Sequence, residues 1–421
     1  MQVNAMTLIR LIHYEWKKLF SFTFIRLIVA LALVLNLAMA VFYIRPLDRY
    51  NVNGELEAVY ALYETDPDAF RERYDAIVDA WYHEEAPADN YANGKTSDRT
   101  LFFTVECFAN ADSDHQKQME AFLAKTEAFC QTLTPGSYNY RYQQAVIAKY
   151  EALGEAVEIK NEPVYGWEPY FGYSAEVIFV LIAVFACSAV IGLDDHTTGF
   201  VSLRVTSVRG AGSTVAAKFI AVMTVSFMLA VIFALSSLLV IGLVYGFSDA
   251  GNAVQAVFSD VIHGKIGEES KKIDLMAFCP LALTIAEFLA VFFLHKAMAA
   301  VICGIVVFTA AVLCRRYWIT GVVGGAFIFL QYRMSILDIF RMEQWKYLNI
   351  FSVFSAKDFL SRFRCVDLFG YPVDLIHVFY VLFFLVSVLS FLICMLSCKA
   401  NSAVRRSFPY RKRSGGFCAW L

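Results

Sequence analysis

Two short runs carry residue types that could do chemistry. Asn93-Gly94-Lys95-Thr96 ends like a phosphate-binding loop, in which backbone amides and the lysine hold nucleotide phosphates. Such a loop needs a glycine five residues before Gly94, but that position is Asp89 and no apolar strand leads into the run. His83-Glu84-Glu85 opens like a zinc-binding helix, yet position 87, where the second histidine belongs, is proline. The ten cysteines show no C-x-x-C spacing, and five of them (Cys187, Cys303, Cys314, Cys394 and Cys398) fall in or beside apolar runs, where a thiol behaves as a small hydrophobe. Cys107 and Cys130 lie in one soluble segment and leave a disulfide open. No catalytic residue, metal site or cofactor is therefore expected in this chain.

The elements available to position any site are mostly membrane-like. Of the 421 residues, 58% are hydrophobic and 18% charged, against about 45–50% and 25% in soluble domains, and mean hydropathy is +0.53. The formal net charge of −2 rules out a nucleic-acid binder held by a basic surface. That near-neutrality hides a division: residues 45–170 carry a net −12 and the rest of the chain +10. The pattern predicts an all-α integral membrane protein with an acidic helical domain inserted between its first two spans. Within that domain, 55–85 and 115–133 repeat apolar positions at helical spacing, and Tyr60, Tyr63, Tyr74, Trp81 and Tyr82 offer contact area or core.

Five runs are long and apolar enough to span a bilayer, at 24–44, 172–192, 215–246, 297–314 and 375–397, and 317–332 makes a short sixth. With six spans and a cytoplasmic N-terminus, the interior segments hold 15 bases and three acids, as the positive-inside rule requires. Both termini are then cytoplasmic, including the basic tail 398–421. Counting 278–294 as a seventh span would put that tail outside. This segment, with Glu287 in its middle and His295-Lys296 closing it, is expected to lie at the outer interface or re-enter from it. Ala38-Met39-Ala40 imitates a signal-peptidase site, but the long lead-in and full-length apolar run favour an uncleaved first helix. Ionisable residues are nearly absent from the spans; Asn36 and the glycines 321, 324 and 325 are expected to pack helix on helix.

The cytoplasmic side is more informative. Residues 1–23 contain Leu8, Leu11, Ile12, Trp16, Leu19 and Phe20 on an apolar stripe, with Arg10, Glu15, Lys17 and Lys18 mostly off it. This pattern predicts an amphipathic elbow helix on the inner membrane surface. Between spans two and three, the loop 193–214 carries Asp194-Asp195, Gly199, Arg204 and Ser207-Val208-Arg209-Gly210, with Lys218 entering the next span.

An opening such as YEWKKLF, followed after span two by an acid, a glycine, SVRG and a lysine, resembles bacterial type-2 ATP-binding-cassette (ABC) exporter permeases. The order of elements agrees along nearly the whole chain, including KYLNIFSVFSAKDF (346–359) before the last helix. The resemblance implies a plasma-membrane permease that pairs with a second permease, identical or related. Cytoplasmic ATPase subunits, which hold the ATP and Mg, would dock on the elbow and the loop. It assigns coupling to Glu15, Trp16, Lys17, Lys18, Asp194, Asp195, Gly199, Arg204, Arg209 and Lys218. The doubled acid stands where the family more often has a single glutamate, which leaves open which of the two matters. The alternative is a non-transporting sensor or anchor whose exterior domain binds a ligand; in either case the net −12 of residues 45–170 is expected to bind or shield a cationic peptide, or else to act only as a solvated acidic cap.

Overall fold

Long apolar runs without internal proline satisfy their backbone hydrogen bonds only as helices where water is excluded, and these runs become the longest elements of the chain. A computed structural model describes residues 5–44, 53–82, 98–164, 166–197, 210–257, 260–262, 271–273, 276–336 and 346–407. Five helices are long and apolar enough to cross a membrane: α2 (Thr23–Ile44), α9 (Glu176–Thr197), α10 (Gly210–Tyr245), α11 (Ile285–Cys314) and α15 (Leu375–Ser407). The short sixth candidate is also helical, as α12 (Tyr317–Ile336), but is less apolar than these five.

Helices α9, α10 and α11 pack on one another; α2 lies against α9 and α10, α15 against α11 and α10, and α12 against α11. Small residues allow the closest approach. A side chain at Gly304 of α11 would meet Ser226 of α10 at 2.3 Å and Ser188 of α9 at 3.1 Å, so three helices cross where only glycine and serines fit. Asn36 is fully buried and donates to Ser236 and Ser237 of α10 at 3.2 and 2.9 Å, so it packs helix on helix. Of the three glycines in α12, Gly324 abuts Phe185, whereas Gly321 and Gly325 face open space.

The segment 278–294 is not a separate element. Thr284 and Glu287 form a capping box that starts α11, and the helix then runs unbroken through His295-Lys296 to Cys314. At 1.5 Å per residue its 30 residues reach about 45 Å, so the first turns of α11 and the expected span 297–314 are one rod. Arg315, at φ 57°, ends the rod and turns the chain into α12. Before α15, residues 350–359 form two single turns, α13 (Ile350–Val353) and α14 (Ala356–Phe359), each started by a side-chain cap from Asn349 or Ser355.

The acidic insertion folds as α3 (Asn53–Thr65), α4 (Pro67–Tyr82), α5 (Asp98–Ala109), α6 (Ala111–Gln131) and α7 (Tyr138–Ala156), followed by the short α8 (Trp167–Gly172). Tyr63, Phe70, Tyr74, Phe102 and Phe103 stack among themselves, so the aromatics of the first helices form the domain's own core; the side chains of Trp81 and Tyr82 lie outside the described residues. Cys130 is a buried thiol 3.9 Å from the Tyr140 carbonyl, and no Cys107–Cys130 disulfide forms. The domain is fastened to the connections of the membrane helices: Trp167 donates to Ser248 O at 2.7 Å, Tyr150 to Phe278 O at 2.7 Å, and Arg141 to Gly370 O at 3.1 Å.

Among the described residues two short antiparallel hairpins accompany this all-helical fold. β1 (Asp260–Ile262) pairs with β2 (Lys271–Ile273), and β3 (Cys365–Leu368) with β4 (Tyr371–Asp374). The second turns through Phe369 and Gly370, both at positive φ, the geometry a two-residue hairpin loop requires.

Candidate coupling site

Helix α1 (Ala5–Ser21) covers the run expected to form the elbow, and the face it buries differs from the expected one. Leu8, Ile12, Glu15 and Leu19 recur at three- and four-residue spacing, so Glu15 points inward with Leu19 while Phe20 is exposed. A carboxylate is tolerated there because Lys218, near the start of α10, approaches Glu15 to 3.5 Å. Lys218 also donates to Ile191 O at 2.9 Å, in the C-terminal part of α9 where a helix favours positive charge. One turn further along α1, Lys18 pairs with Asp194 in the last turn of α9. Trp16 donates its indole N–H to the Thr224 hydroxyl of α10 at 3.1 Å.

Five of the ten sequence-predicted coupling residues, Glu15, Trp16, Lys18, Asp194 and Lys218, thus meet in one cluster that joins α1 to the end of α9 and the beginning of α10. Glu15, Asp194 and Lys218 are nearly closed to solvent. Lys17 faces outward. Asp195 belongs to α9, with its side chain outside the described residues, as are Gly199, Arg204 and Arg209 entirely; the runs at 83–85 and 93–96 also fall outside them.

A second buried charge cluster joins α9 to α11, and the sequence reading missed it. Glu176, the first residue of α9, pairs with Lys296 of α11, and both are at most 1% exposed. The Lys296 ammonium also sits 4.0 Å from the Phe292 ring centroid and 5.1 Å from that of Tyr170, which supplies further stabilisation of a desolvated cation. Glu176 Oε2 and the Tyr170 hydroxyl have no hydrogen-bond partner among the described residues. His295 is buried beside them, with Nδ1 2.7 Å from Val291 O and Nε2 3.2 Å from the Tyr380 hydroxyl of α15. His295-Lys296 therefore does not close a polar exterior segment. The available signal was an acid at the start of one apolar run and a lysine with apolar residues on both sides within another.

The inserted acidic domain and the connection after α10 line a cleft of about 380 Å³ that holds Glu57, Glu64, Glu162 and Asp249 with Tyr60. Burial, followed by the charges of Glu64 and Glu162, raises the Tyr60 pKa above its ordinary value.

Five membrane-length apolar helices around a shared core, with an amphipathic helix clamped to two of them, define a helical protein built by length and composition for a multi-pass place in a membrane. No family model and no curated protein matches the chain. Among the described residues no group of three or more His, Cys, Asp and Glu side chains is placed to hold a metal ion.

Proposed function

We propose that the chain is the membrane-spanning permease subunit of an ABC exporter, moving cargo outward with ATP hydrolysed by a separate cytoplasmic subunit. The observation that carries this reading is the double ionic clamp of α1, Lys18 to Asp194 and Glu15 to Lys218. A push on the elbow or on the loop that follows α9 would then reach α9 and α10 together. The buried ends of the clamp are charged groups already paired within the chain, so they transmit movement. Contact with the ATPase falls to Lys17, Asp195 and the loop residues Gly199, Arg204 and Arg209. In this reading α12 is the sixth span, both termini are cytoplasmic, and the domain between α2 and α9 is extracytoplasmic. A second permease would cover the apolar groove of about 840 Å³ between α2, α9 and α12, lined by residues such as Ile25, Leu35, Ile182, Phe185 and Ile328.

The test is purification of the intact complex from its host by a tag on this chain, followed by identification of its subunits. An ATP-hydrolysing protein in constant ratio to the permease supports the reading. A second reading, a ligand-binding membrane sensor without transport, draws on the close fastening of the exterior domain to the helix connections. It is favoured if the chain purifies with no ATPase.

A further inference from the structure

A different cleft in the exterior domain has a character opposite to the domain's overall charge. Helices α6 and α7 meet the segments that lead into α11 and β3 around a recess of about 400 Å³, within the size range of small-molecule sites. Its walls are aromatic: Phe122 lies 5.1 Å from Tyr150 and 5.0 Å from Phe278, ring centre to ring centre, and Phe363 completes them. Tyr150 is locked in place, donating to Phe278 O at 2.7 Å and accepting from the Phe363 amide at 3.0 Å. Phe129, at the recess, is 51% exposed.

The charges at this recess are Lys125 and Arg362, and no carboxylate lines it. Neither base has an ion-pair partner among the described residues. The Arg362 guanidinium instead lies 5.8 Å from the Phe278 ring centroid. Two exposed bases, Arg362 and Lys125, with no carboxylate in the lining leave positive potential facing an apolar recess, the arrangement that takes up an amphipathic anion.

We propose that this cleft binds a carboxylate carried on an aromatic or alkyl body, with the body among Phe122, Tyr150, Phe278 and Phe363 and the carboxylate held by Arg362 and Lys125. Phe278 precedes α11 and Phe363 precedes the hairpin that enters α15, so a bound molecule touches the exterior domain and both connections at once. The assignment stands independently of the exporter reading, since its test measures binding alone.

The experiment is calorimetric titration of the full chain, in nanodiscs of zwitterionic lipid, with naphthylacetate and with naphthylethylamine, the same body bearing an ammonium. Saturable binding of the carboxylate in preference to the amine is expected. Arg362→Gln/Lys125→Gln should weaken it by about tenfold or more, the loss expected for a charge-assisted contact, while Arg362→Lys retains most of it. Both bases are exposed, so these variants fold, and a matching thermal transition verifies that. Nanodiscs that also contain palmitate distinguish the source: displaced naphthylacetate identifies a bilayer-borne ligand, and undiminished binding a soluble one. No saturable binding to the unmodified chain, equal affinity in the double variant, or equal affinity for the amine would overturn the proposal.

Discussion

Glu15 of the amphipathic helix and Lys218 of α10 approach to 3.5 Å with both side chains at most 9% exposed. Removing one partner of such a buried pair leaves the other desolvated and uncompensated, a cost of about 3–5 kcal/mol. Lys218→Met should therefore lower the thermal midpoint of the protein in nanodiscs markedly. Adding Glu15→Gln should recover part of the loss, because the stranded charge is gone. Additive losses in the double variant would show that the two side chains do not sense each other.

The Glu176–Lys296 pair predicts a sharper contrast. Glu176→Gln and Lys296→Met should each destabilise the fold, and the double variant less than their sum, since only the singles leave a buried charge alone. Tyr170→Phe should be neutral or stabilising, because it removes a buried hydroxyl that has no partner, and an unsatisfied group costs about 1–3 kcal/mol. A large loss of stability in Tyr170→Phe would mean that the hydroxyl is engaged.

Six spans with both ends inside place Ser113 outside the cell and Ser414 within it. On a background cleared of reactive native cysteines, an impermeant thiol reagent should label Ser113→Cys in intact cells and miss Ser414→Cys. Ser113 lies on the exposed side of α6, so access there is not limited by packing. Labelling at position 414 would require an odd number of crossings.

The long helices were legible because apolar composition over 20 or more residues leaves the backbone few alternatives, and all five strong runs are helices. Charge is where legibility failed. His295 and Lys296 read as the polar end of an interfacial segment, and Glu15 as a residue off the packed face, because sequence displays a charge without its partner. Glu176 lies 120 positions from Lys296, and Glu15 lies still further in sequence from Lys218. Thr284 and Glu287 could have been read as a capping box, which would have joined 285–294 to the following span. The β3–β4 hairpin left only Phe369-Gly370 as a signal, and the aromatic cleft around Phe278 left none, since its walls come from three distant segments.

At alkaline pH the exterior domain should weaken before its buried tyrosine ionises. Burial pushes the Tyr150 pKa up to about 12 from an ordinary 10. Its contribution is present in full below pH 10 and declines between pH 10 and about 12, where the unfolded chain releases the proton and the folded chain keeps it. A shift of that size corresponds to about 2–3 kcal/mol. Unfolding midpoints should fall across this window, and less steeply in Tyr150→Phe. An unchanged slope in that variant would place the effect elsewhere.

The central claim is that an ATP-hydrolysing partner engages the cytoplasmic elbow and loop of this chain. The most direct measurement is co-purification of that partner with tagged full-length protein, carried out for the unmodified chain and for Lys17→Glu/Asp195→Lys, with membrane insertion followed in parallel. The account predicts a stoichiometric ATPase with the unmodified chain and a strongly reduced amount with the inserted double variant. An unmodified chain that purifies without any ATP-hydrolysing subunit, or a double variant that retains it in full, would contradict the account.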